Sequence, residues 1–160
     1  MTWATLVLGL HLFLAAGLQV AVLAFWPAKV RPDLLLIWPL VAGVLYGPRL
    51  GMLAGFGGGL WLFALQGFYP GSFLLSHTTT GYLAGLVGQR FFKENWVVHV
   101  LTVGGGTFIS EGIFFVLSLQ VGLADWWPTV WREALYNALL TPLAFVALRR
   151  LSPAEKETTV

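Results

Sequence analysis

Residues 50–89 read LGMLAGFGGGLWLFALQGFYPGSFLLSHTTTGYLAGLVGQ, a run that contains no Asp, Glu, Lys or Arg. A helix that crosses the hydrocarbon core of a bilayer needs about 20 apolar residues, so the run is long enough for two such helices. Within it, residues 68–72 (FYPGS) bring together a proline and a glycine, which interrupt a helix. The run therefore predicts two consecutive membrane helices with a turn between them.

The composition of the whole chain agrees with membrane residence. Apolar residues make up 58% of the 160 residues and charged residues 10%, against roughly 25% charged in an ordinary soluble domain. The absence of cysteine excludes disulfides and thiolate metal sites. The net charge is only +2, and the basic residues form no stripe that would suit a nucleic acid. We expect an all-α integral membrane protein with no nucleic-acid partner.

The apolar runs predict six helices in one domain over residues 1–150, followed by a polar cytoplasmic tail over residues 151–160. The first apolar run has no preceding Lys or Arg and is longer than that of a signal peptide, which predicts an uncleaved first span. Residues 125–128 (DWWP) are expected to lie in the outer interface before the sixth helix. The predicted helices are 3–26, 32–46, 49–66, 72–92, 96–119 and 129–148.

The second predicted helix is the shortest, because its uncharged stretch, residues 34–48, measures only about 22 Å as a helix. A re-entrant segment is the competing interpretation. Pro32 suits a first helical position, and Asp33 suits the positive end of the helix dipole. Six spans with both termini inside also agree with the positive-inside rule. The cytoplasmic side then carries Arg49, Arg90, Lys93, Arg149, Arg150 and Lys156, and the outer side Lys29, Arg31 and Arg132.

Glycines recur at every fourth position of the third helix, at Gly51, Gly55 and Gly59. Four residues advance the helix by roughly 400°, so the three glycines share one narrow face. Such a face lets another helix approach closely within a membrane. It predicts either a docking groove for a partner's helix or internal packing between helices of this chain.

A second pattern is a set of polar residues at similar depth in the outer halves of four helices. Gln19, His77, Glu111 and Asn137 each lie about five to eight residues from the predicted outer end of their helix. They form either a small-molecule pocket that opens outward or a layer of interhelical hydrogen bonds, which we favour. The chain has neither an HExxH motif nor a phosphate-binding loop, and Ser72 lacks a nucleophile-elbow pattern. We therefore expect no enzyme activity, no cofactor and no metal.

Several short motifs follow one another in the order and at the spacing of a known family. They are Arg31-Pro32-Asp33-Leu34-Leu35-Leu36, the set Gly51, Gly55, Phe56, Gly59 and Leu60, then Gly67, Gly81-Tyr82-Leu83-Ala84-Gly85, Asn137, Pro142 and Leu148-Arg149-Arg150. Over residues 31–150 the chain thereby resembles the rod shape-determining membrane protein MreD. It departs from that family at Phe63, where many members have an Asp four residues before a glycine.

The resemblance implies a multi-pass protein of the bacterial cytoplasmic membrane that acts as a scaffold of the elongation machinery. Such proteins bind MreC, which has a single span. Through MreC they connect MreB filaments to the polymerase and transpeptidase that build peptidoglycan. The family's fold is similar to the six-helix S-components of energy-coupling-factor transporters. That similarity implies an alternative function, in which Gln19, His77, Glu111 and Asn137 would hold a vitamin.

Overall fold

The computed structural model describes residues 3–25, 31–91, 94–118 and 122–151, and these residues form six α-helices with short connections. The helices are α1 (Trp3–Phe25), α2 (Leu34–Tyr46), α3 (Pro48–Gln66), α4 (Pro70–Arg90), α5 (Trp96–Ser118) and α6 (Leu123–Leu151). Gly47 and Gly67, which follow α2 and α3, adopt positive φ angles of 93° and 77°. A glycine adopts such angles without steric cost, so each allows the chain to reverse direction sharply.

Each helix runs antiparallel to the one before it. Gly58 of α3 lies against Leu35 near the start of α2, and Gly51 lies against Gly43 near its end. Later pairs show the same reversal, because Asn137 of α6 bonds to Thr107 of α5 far from the connection between them. The fold is therefore an up-and-down helical bundle, as the sequence predicts at the level of fold class.

Helix α2 forms the centre of the bundle and contacts all five other helices. Its side chains are apolar on every face, and Leu35, Leu36, Leu40, Val41 and Val44 are almost fully buried. A helix that is hydrophobic all round belongs in an interior. At the end of the bundle where α2 starts, the neighbouring helix α4 extends further than α2, because Asp33 lies beside His77, which is seven residues into α4. This position explains why α2 is short.

At three starts the helix bounds differ from the predicted ones by two residues or more. Helix α2 begins at Leu34, because Asp33 is its N-cap and Pro32 precedes it. Helix α4 begins at Pro70, since proline suits a first helical turn. Helix α6 begins at Leu123, so the expectation that residues 125–128 precede it is wrong. The Gly122 carbonyl accepts the first hydrogen bonds of α6 and starts the helix there. The predicted polar tail lies beyond Leu151, outside the described residues.

The outer faces of the helices carry large apolar side chains. Among the described helices, α5 (Trp96–Ser118) alone is both long and apolar enough to cross a membrane. Exposed leucine and phenylalanine side chains nevertheless continue along the surfaces of α1, α3 and α6. Examples are Leu10, Phe13, Leu14, Leu18, Leu53, Phe56, Leu135, Leu139 and Leu143. Soluble monomers rarely expose contiguous apolar surface of this extent.

Candidate functional site

A buried polar cluster lies at the end of the bundle where α2 starts. Its centre is Asp33, which is only 8% exposed. Asp33 Oδ1 accepts a hydrogen bond from the backbone N–H of Leu36 over 3.0 Å, which caps α2. Asp33 Oδ2 lies 3.1 Å from His77 Nε2 on α4. One carboxylate thus both starts the central helix and ties it to α4.

The histidine of this cluster is bonded through both ring nitrogens. His77 Nδ1 lies 3.1 Å from Ser76 Oγ, and Ser76 Oγ also lies 3.2 Å from the carbonyl oxygen of Phe73, to which it donates. The three side chains Ser76, His77 and Asp33 have the residue types of a hydrolase triad, but all three are buried. A catalytic serine needs room for substrate beside its hydroxyl. We therefore interpret this constellation as structural.

Two amide side chains attach further helices to the same segment. Gln19 of α1 donates from Nε2 to the carbonyl of Pro32 over 3.2 Å and accepts from the Leu34 N–H over 2.9 Å. Asn137 of α6 accepts from the Asp33 N–H over 2.9 Å and donates to Thr107 Oγ1 of α5 over 3.1 Å. Hydrogen bonds around residues 32–34 therefore join α1, α2, α4, α5 and α6.

Three of the four residues predicted for the polar layer meet in this cluster, namely Gln19, His77 and Asn137. Glu111 is half-buried and interacts electrostatically with Asp33 and His77, although no hydrogen bond joins it to them in the described residues. The prediction did not include Asp33. Its position before the apolar run of α2 identifies a capping residue, but its burial depends on the depth at which α2 starts.

The glycine face of α3 packs against α4. A Cβ atom added to Gly51 would overlap the backbone of Gly81, and one added to Gly55 would overlap the backbone of His77. At Gly59 the carbonyl oxygen of Phe73 would lie 2.6 Å away. The two helix backbones thus approach as closely as their glycines allow. Of the two alternatives for Gly51, Gly55 and Gly59, internal packing is therefore confirmed, and a partner-docking groove there is wrong, because α4 already fills that face.

An open groove lies instead between α4 and α5. It consists of two adjoining cavities of about 580 and 150 Å³, which share Ile109. Along α5 it extends from Thr102 to Leu117, about 22 Å of helix. A Cβ atom added to Gly105 or Gly112 would meet no atom of the described residues within 4 Å. We call the two cavities together the α4/α5 groove. None of the four residues predicted for the polar layer, Gln19, His77, Glu111 and Asn137, lines it.

Comparison with known proteins finds no matching family model, no matching curated protein and no matching solved structure.

Proposed function

We propose that this chain is a multi-pass protein of the bacterial cytoplasmic membrane that binds the single membrane helix of a partner. The observation that carries the proposal is the α4/α5 groove, which is apolar and extends over about 22 Å of helix, roughly three quarters of the approximately 30 Å hydrocarbon core. Gly105 and Gly112 leave its α5 side open to close approach by another backbone. The exposed apolar faces of α1, α3 and α6 suit contact with lipid.

The six helices would cross the membrane in turn, with both termini in the cytoplasm. Helix α2 would cross as the central helix, surrounded by the other five. Because α2 is short, the buried residues Pro32 and Asp33 that precede it would also lie within the membrane. This arrangement would put the polar cluster in the outer half and Arg49, Arg90 and Arg149 at the cytoplasmic ends, in agreement with the positive-inside rule.

The biological role that we propose is that of an MreD-like scaffold in cell elongation. The resemblance over residues 31–150 supports it, and the partner helix would then be that of MreC. Through MreC the protein would link MreB filaments to the peptidoglycan polymerase and transpeptidase, without catalysing a reaction itself. The alternative, a vitamin-binding subunit, gains no support from the geometry. The polar cluster is closed by hydrogen bonds among its own side chains, and neither groove cavity reaches those side chains.

Substitution of Gly112 by leucine tests the docking site. Leucine fits the open space and favours the helix, so the variant should fold but obstruct a partner helix. Gly17→Leu is the matched control, because Gly17 on α1 is equally open but lies outside the groove. MreC co-purified in mild detergent should be lost with Gly112→Leu and retained with Gly17→Leu, and cells that rely on Gly112→Leu should lose their rod shape.

The opposite pattern, in which Gly17→Leu alone releases MreC, would place the partner on α1 and refute the groove. If neither MreC nor the synthases accompany the unmodified protein, while an ATP-driven transport module does, the elongation role is wrong.

A further inference from the structure

The outer halves of α5 and α6 face each other in a register that two contacts define. Asn137 Nδ2 donates to Thr107 Oγ1 over 3.1 Å, deep in the bundle. Nearer the outer end, the rings of Phe115 and Trp126 lie with their centroids 4.9 Å apart. The facing surfaces of α5 and α6 between these two contacts therefore form one region, which we call the compartment. The Thr107–Asn137 hydrogen bond bounds it at one end, and the Phe115 and Trp126 rings bound it at the other.

Two carboxylates enter this compartment. Glu111 lies one turn after Thr107 on α5, and Glu133 lies one turn before Asn137 on α6. Because the two helices are antiparallel, both positions lie on the same side of the Thr107–Asn137 contact, and the register brings the two carboxylates together. They interact electrostatically with each other and with Asp33, while His77 attracts Glu111 and the Asn137 side chain hydrogen-bonds to Glu133. In the part of the chain that the structure describes, neither has a basic nitrogen within 4.0 Å, since the two ion pairs there involve other carboxylates.

A third oxygen group on the same helix lacks a partner. Ser110 is fully buried, and its Oγ has no hydrogen-bond partner among the described residues. Gly106, one turn before Ser110, lies against Leu40 of α2. Because α2 and α5 run in opposite directions, Ser110 faces further along α2 towards its start at Asp33, where the carboxylates gather. A buried hydroxyl without a partner indicates a ligand that could complete its coordination.

We propose that the compartment binds one monovalent cation of the sodium type, held by the carboxylates of Glu111 and Glu133 and the hydroxyl of Ser110. Facing carboxylates in a desolvated site repel each other, and a bound positive charge relieves that repulsion. Carboxylate and hydroxyl oxygens are hard ligands that suit such a cation. In the described residues no group of three His, Cys, Asp or Glu side chains is arranged to hold a metal ion, so a divalent ion would lack its usual ligands. The site is independent of the docking of a partner helix.

Thermal unfolding of the detergent-purified protein tests this site, with NaCl compared with choline chloride at equal ionic strength. Sodium should raise Tm saturably, by about 5–10 °C at a concentration about 100 times Kd, whereas choline should not. Glu111→Gln and Glu133→Gln preserve side-chain size and should each abolish the rise. Ser110→Ala should fold normally and weaken the apparent sodium affinity several-fold. Glu94→Gln is the control, because Glu94 is an exposed carboxylate outside the compartment, and it should keep the full rise.

Equilibrium dialysis with radioactive sodium should show one bound ion per chain, and none in Glu111→Gln. An equal rise of Tm in both salts would overturn the proposal, as would a sodium-dependent rise that persists in both glutamine variants. Stabilisation by acid alone, with no dependence on sodium, would mean that the carboxylates share a proton and would also overturn it.

Discussion

Asp33 holds the start of α2 and the ring of His77 with one carboxylate, so Asp33→Ala should remove two interactions at once. Loss of an N-cap side chain costs about 1 kcal/mol. A buried His77 Nε2 without its partner costs a further 1–3 kcal/mol, approximately. Because the site is closed and Asp33 is 8% exposed, water cannot easily replace either bond. We expect a loss of about 2–4 kcal/mol in the free energy of unfolding.

Asp33→Asn separates hydrogen bonding from charge at the same position. The asparagine oxygen can still cap Leu36, and its amide can donate to His77 Nε2 if His77 Nδ1 donates to Ser76 Oγ. The cluster then keeps all of its bonds with a neutral histidine. We expect Asp33→Asn to cost about 1 kcal/mol or less.

Unfolding in mixtures of SDS and dodecylmaltoside, followed by tryptophan fluorescence, would measure both variants. Asp125→Ala is the control, because Asp125 lies in the first turn of α6 but is exposed, so its removal should have a much smaller effect. If Asp33→Ala unfolds like Asp125→Ala, the cluster does not hold the bundle together. If Asp33→Asn is as damaging as Asp33→Ala, charge matters there rather than hydrogen bonding.

Two other substitutions test the interior contacts at opposite ends of the bundle. Asn137→Ala should lower the free energy of unfolding by about 2–4 kcal/mol in the same titration, because it leaves the buried Asp33 N–H without its partner and removes the hydrogen bond that Thr107 Oγ1 accepts. An effect below that of an exposed control would contradict this account. Tyr46→Phe should cost about 1 kcal/mol, since it removes the 3.0 Å bond from the Tyr46 hydroxyl to the Leu148 carbonyl. Unchanged stability would mean that this bond contributes nothing.

The helical class and the polar cluster were accessible from the sequence for a physical reason. Long uncharged runs must form helices if they lie in lipid, because every backbone polar group has to be bonded internally. Polar residues inside such runs are few, so their depths can be counted and compared. Gln19, His77 and Asn137 do meet as those depths predict. The partner that joins them, Asp33, could not be found in this way, because its depth depends on how far α2 sits within the bundle.

The helix that packs against each glycine face could not be predicted, because the sequence pattern is the same for a contact within the chain and a contact with a partner. Gly51, Gly55 and Gly59 pack against α4, whereas Gly105 and Gly112 lie in an open groove. Spacing determines only that glycines share a face of a helix. Which helix covers that face depends on the tertiary arrangement.

The open glycines of α5 require an explanation that the internal ones do not. A glycine within a helix costs about 1 kcal/mol relative to alanine. At Gly55 close packing against α4 offsets this cost, but at Gly105 and Gly112 no atom of the described residues lies near enough to do so. Gly17 shares this openness, yet it lies on an exposed face of α1 and outside both cavities. In the α4/α5 groove, a helix from another protein would provide the missing contact, which is why replacement at Gly112 should affect partner binding more than stability.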